Sequence, residues 1–147
     1  MIELNLKTRA AAQTTVPFNS MCRFGEHYLG ATSSGLYQIV GFTDAGAEIP
    51  ALIKTGKIDL GTERLKSIRY FYFGLETTGD LSLTLYNDGV EVAVYDIPYP
   101  GAGRQTIKVK VARGLKARFW EFKLENVDGS FFALYSVKIF PVVLKSA

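Results

Sequence analysis

Cys22 and His27 are the only cysteine and histidine in this 147-residue chain, and they stand five positions apart. A thiolate beside an imidazole can act as nucleophile and base, and an imidazole can serve a Ser-His-Asp device. No GxSxG elbow or cysteine-containing catalytic motif accompanies them. One cysteine and one histidine cannot make an internal disulfide or a zinc site of the usual kind. The expectation is a buried thiol and a surface or hydrogen-bonded imidazole. Paired carboxylates could hydrolyse glycosides, but Asp80, Asp88, Glu91 and Asp96 fall in turns or on solvated strand faces, where no spacing rule pairs them. TGKIDLGT lacks Walker spacing and opens no helix, and GAGR at Gly101 has no βαβ unit around it. Asp44 with Glu48 gives too few ligands for calcium. No catalytic residue, cofactor or metal ligand is therefore expected.

The charged and aromatic residues are more informative. Arg104 to Arg118, RQTIKVKVARGLKAR, holds six basic residues and no acidic one in a chain of net charge +3. Lys108 and Lys110 share one strand face, with Arg104, Arg113, Lys116 and Arg118 around them. Such a face is solvated and guards a sheet edge, or it docks an acidic protein partner. Nucleic acid is the least expected ligand, because it wants exposed aromatics among the cations and Phe119 shares its face with Glu121 and Glu125. Trp120 lies on the same face as Phe122 and Leu124 and reads as core. Tyr70, Tyr72, Tyr86, Tyr95 and Tyr99 are the candidate platforms for a surface glycan.

The elements that must position these residues are strands. Short alternating runs separated by turn residues indicate an all-β fold. Leu81, Leu83 and Leu85 alternate with Ser82, Thr84 and Tyr86. Val90, Val92 and Val94 alternate with Glu91, Ala93 and Tyr95, and Trp120, Phe122 and Leu124 alternate with charged residues. These assign Leu81, Leu83, Leu85, Val92, Val94, Val109, Trp120 and Phe122 to a core. Asp88-Gly89 and Asp128-Gly129 suit hairpin turns of the primed types, TSSG links two further strands, and Gly56 interrupts a strand over 51–59. No window shows a convincing helical period; Lys7 to Gln13 is a short helical turn or part of an extended arm. The segment from Ser67 to Glu76 is apolar on both faces, Ile68, Tyr70 and Tyr72 on one side and Phe71, Phe73 and Leu75 on the other. Either both faces are covered within the domain or one awaits a partner.

Length and a hydrophobic content of 48% fit one globular domain. No apolar run approaches the roughly 20 residues of a membrane-crossing helix. The N-terminal segment lacks the apolar core of a secretory signal, so synthesis in a reducing cytosol is expected. The organisation expected is an N-terminal arm over 1–20 and one antiparallel β-sandwich over 21–147, of jelly-roll-like or Ig-like form with about nine strands.

The order of motifs, YLGATSSGLYQIVGFTDAG, then GKIDLGTERLKSIRYFYFGLETTGDLSLTL, then RGLKARFWEFKLENVDG and a strand ending FPVVL, resembles small β-rich virion structural proteins of tailed bacteriophages. The resemblance spans Tyr28 to Leu144. It implies a non-enzymatic particle component encoded among tail and baseplate genes, located in the virion, with other virion proteins and copies of itself as partners and no membrane. Capsid decoration or cement, or a carbohydrate-binding module, are the alternatives. The resemblance carries over no individual functional residue. From the residues themselves, the candidate interface is Ile2, Leu4 and Leu6 of the arm, which could add a strand to a neighbour, together with Tyr70, Tyr72, Lys108, Lys110 and Arg113.

Overall fold

A computed structural model describes residues 2–5, 10–13, 18–41, 43–44 and 46–144, with side chains for 18–41 and 46–144. Among them there are strands and turns but no helix. The chain divides into two compact units, Met1–Gly41 and Phe42–Ala147. In the first, β1 (Ile2–Asn5) pairs antiparallel with β2 (Ala10–Gln13), so the alanine run ends in a strand rather than a helical turn. The same unit contains an antiparallel sheet of β3 (Ser20–Phe24), β4 (His27–Thr32) and β5 (Gly35–Gln38). There the Phe18 ring packs on Gly30, where an added Cβ would lie 2.5 Å from ring carbons. Leu6 lies outside the described residues, as do the side chains of Ile2 and Leu4.

The second unit carries a small pair, β6 (Thr43–Asp44) with β7 (Ala47–Glu48), and then the sandwich. Its strands are β8 (Leu52–Lys54), β9 (Lys66–Thr77), β10 (Leu81–Asn87), β11 (Val90–Ile97), β12 (Gln105–Lys110), β13 (Trp120–Asn126) and β14 (Phe132–Val143). One sheet has the order β11-β10-β13-β8, the other β12-β9-β14, and every pairing is antiparallel. The all-β antiparallel sandwich is thus present. Its two sheets take seven strands rather than about nine, because Ser20–Gln38 builds a sheet of its own in the first unit. Asp88-Gly89 joins the paired strands β10 and β11 in the expected hairpin turn, with positive φ at both positions, 51° and 94°. That is the geometry whose twist matches the flanking strands. Asp128-Gly129 also has positive φ at both positions, 52° and 66°, but it carries the chain from β13 in one sheet to β14 in the other, so it makes a turn and not the expected hairpin.

The sheets meet through aromatic rings. Phe71 and Phe73 of β9 lie nearly parallel, and Phe122 of β13 presents its edge to both, with centroids 5.6 and 6.0 Å away. Leu75, Leu81, Leu83, Leu85, Trp120 and Leu124 complete the buried layer. Each large side chain removed from water contributes about 1.5–3 kcal/mol. The interruption near Gly56 is real: β8 pairs with β13 up to Lys54, and Ile58 then bridges Trp120 one residue out of step.

Three strands depart from simple alternation, because each carries one extra residue. In β9 the ladder to β14 passes from Tyr70 to Ile68 and skips Arg69. In β14 it skips Tyr135, and in β11 it skips Val92. The last corrects two expectations. Val94 faces outward and is 52% exposed, whereas Tyr95 packs on the core and its hydroxyl accepts the Ala112 N–H at 2.9 Å. Tyr95 is therefore not a glycan platform.

Lys66 is fully buried at the start of β9. Its ammonium donates to the carbonyls of Thr62 and Arg64, at 2.6 and 3.1 Å, and to that of Arg118. Three donors on three acceptors tie the 62–64 turn to the loop before β13, which offsets the cost of burying the charge. Lys66→Met should leave those carbonyls without their donor and lower unfolding free energy by about 2–4 kcal/mol, measured by urea denaturation.

Candidate functional surface

On β9 the inner residues Phe71, Phe73 and Leu75 are buried, so Tyr70, Tyr72, Gly74 and Glu76 project from the opposite side of the sheet. Register then fixes their neighbours. Lys110 lies beside Tyr70 and Lys108 beside Tyr72 on β12, while Phe140 and Lys138 take the same places on β14. Neither sheet of the sandwich covers this side. The doubly apolar strand is accordingly divided: phenylalanines and leucine enter the core, and tyrosines build an outer face. Ile68 is the exception to the expected division. The extra residue at Arg69 shifts the strand's phase, so Ile68 joins Phe71 in the core at 1% exposure.

Rings and cations alternate on the outer face. Lys108 Nζ sits 4.0 Å from the Tyr70 centroid and 5.7 Å from that of Tyr72. Phe140, half exposed, meets Tyr72 edge to face at 5.3 Å. The extra residue on β14, Tyr135, lies under the Arg104 guanidinium at 3.5 Å and donates its hydroxyl to Glu76 at 3.2 Å. Cation–π pairs of this kind contribute about 0.5–1 kcal/mol at exposed sites; here they also hold the long basic chains upright. At one end of the face, Arg69, Tyr70, Lys110 and Arg113 line a depression of about 340 Å³. The Arg69 carbonyl accepts the Val111 N–H at 3.0 Å, so the bulge and the end of β12 form one rim.

Five expected interface residues, Tyr70, Tyr72, Lys108, Lys110 and Arg113, therefore occupy one continuous surface. Arg104, which the sequence places around those lysines, belongs to it as well, as do Arg69, Tyr135, Lys138 and Phe140, which the sequence does not single out. Arg69 and Tyr135 are bulge residues, and β14 is distant in the chain. Glu121 and Glu125, expected to dilute the basic field, lie on β13 in the other sheet. Its outer side also carries Lys54, Tyr86 and Lys123. There Lys123 donates to Glu125 at 2.8 Å, and that bond holds its ammonium above the ordinary 10.5.

The other chemical candidates are engaged elsewhere. Cys22 is an exposed free thiol on β3, not a buried one. His27 Nδ1 is hydrogen-bonded to Gln38 Nε2 at 2.7 Å on an exposed surface. Asp80 accepts the Tyr99 N–H at 2.7 Å, and Asp88 accepts that of Phe119 at 3.3 Å, both closing loops. Lys54 Nζ covers the Tyr86 ring at 4.2 Å. Trp120 is core, as its spacing indicates. Among the described residues no three His, Cys, Asp or Glu side chains gather into a metal-binding group.

No family model, curated protein or solved structure matches the chain.

The division of β9 into a core side and a surface side has a direct test. Tyr70→Ser with Tyr72→Ser should keep cooperative unfolding and cost about 1–2 kcal/mol. Phe71→Ala alone should cost about 3–5 kcal/mol. Parallel urea titrations followed by circular dichroism compare them.

Proposed function

We propose that this chain is a non-enzymatic structural subunit of a tailed-bacteriophage particle, a tail or baseplate component that docks on its neighbours through the outer face of the β12-β9-β14 sheet. The observation that carries the docking role is that face. It joins tyrosines and a half-exposed phenylalanine to at least four cations, Arg104, Lys108, Lys110 and Lys138, on a sheet whose other side is fixed in the core. Aromatic and basic side chains held upright on a rigid strand lose little freedom on association, which is why tyrosine and arginine concentrate in binding hot spots. The particle assignment rests on the order of motifs from Tyr28 to Leu144 and its resemblance to virion structural proteins. Capsid decoration is the alternative location for the same docking chemistry.

Quantitative mass spectrometry of purified particles, with heads and tails separated before digestion, tests the assignment. The expected result is enrichment with the tail at a fixed ratio to the tail-tube protein. Enrichment with heads transfers the role to the capsid, and absence from both fractions rejects a virion role.

A further inference from the structure

What would dock on this face follows from which groups it offers. Lys108 caps Tyr70, Arg104 caps Tyr135, and Phe140 fills the edge of Tyr72. A partner therefore meets cations first and bare ring faces second. The strands of the face present one carboxylate, Glu76, already holding the Tyr135 hydroxyl. At the end of the stripe, two arginines and one lysine, Arg69, Arg113 and Lys110, line a single depression. All three residues are exposed.

Resting on the docking role above, we propose that the depression and the adjoining lysines bind an acidic, extended segment of a partner protein, with one carboxylate seated among Arg69, Lys110 and Arg113. A planar guanidinium fork matches a carboxylate in two parallel hydrogen bonds, and two such forks around one lysine make a directional anion seat. Lys108 and Lys110 are two residues apart on one strand, roughly 6.6 Å. Carboxylates at every second position of an extended peptide repeat at that same interval, so successive acids meet successive lysines. Single-stranded nucleic acid shares the negative charge, but its bases need open aromatic faces for stacking, and here cations sit over the Tyr70 and Tyr135 rings. Separation of Glu121 and Glu125 onto the other sheet leaves the attraction undiluted over the few ångströms where screening is weak.

The test uses the full chain and a fluorescein-labelled peptide of alternating Glu and Ala, followed by anisotropy. The same peptide with Gln for Glu and a labelled oligo-dT serve as comparators. The Glu-Ala peptide should bind, weaken as salt rises, and exceed both comparators. Lys110→Glu with Arg113→Glu should weaken it by at least about tenfold, and Arg113→Gln alone should weaken it less, with an unchanged circular dichroism spectrum. Lys54→Glu with Lys57→Glu makes the same change in net charge beside β13 in the other sheet and should leave binding within about twofold. Equal losses in both double variants would reduce the effect to net charge and overturn the site. Tighter binding of oligo-dT would give the face to nucleic acid, and absence of peptide binding would reject the acidic partner. None of these outcomes alters the particle fractionation, which alone decides the virion role.

Discussion

One inserted residue in β9 organises the surface and the core together. Without Arg69 as an extra residue, strict alternation from Phe71 would place Ile68 outside. With it, Ile68 and Phe71 both enter the sandwich, and Tyr70 still projects outward. A bulge bends its strand and re-aims the side chain it carries. Here the re-aimed side chain is an arginine, delivered to the same depression as Lys110 and Arg113. The bulge is anchored on both flanks. The Arg69 carbonyl receives the Val111 N–H, and three residues earlier Lys66 ties two loops together from a fully buried position. The strand cannot slip by one residue without exposing the phenylalanines that meet Phe122, so register and surface chemistry are the same constraint.

The sandwich separates charges that lie near one another in sequence. Lys108 and Lys110 belong to β12, and the glutamates eleven to seventeen positions beyond them, Glu121 and Glu125, belong to β13, in the facing sheet. The crossing from one sheet to the other turns a mixed stretch into two sides of different character. One side is aromatic and basic, its rings capped by cations. The other sets Glu91, Asp96, Glu121 and Glu125 beside Lys54 and Lys123, with ion pairs made locally. Surface pairs of that kind add little stability, but they neutralise one side while the other keeps its field.

Much of this was readable from residue pattern. The Leu81–Tyr86 alternation, the two Asp-Gly turns, the burial of Trp120 and the break at Gly56 follow from period, turn chemistry and face-sharing, all local properties. The insertions at Arg69, Val92 and Tyr135 are not local in that sense. None is a glycine, and each is defined only by what the partner strand does opposite it. Strict alternation therefore puts Val94 in the core and Tyr95 outside and groups Ile68 with the outward tyrosines, and the insertions reverse each placement. The candidate surface is legible in part because Tyr70, Tyr72, Lys108 and Lys110 alternate along their strands. Phe140 and Lys138 escaped because only β14 pairing brings them beside β9.

The phase change at Arg69 is the claim on which core and surface both depend, and thiol accessibility reads it directly. In a Cys22→Ser background, Ile68→Cys and Arg69→Cys each introduce a single thiol. Reaction with a maleimide under native conditions should be fast at position 69 and should require unfolding at position 68. Fast reaction at 68 with protection at 69 would show unbroken alternation through β9 and contradict the account.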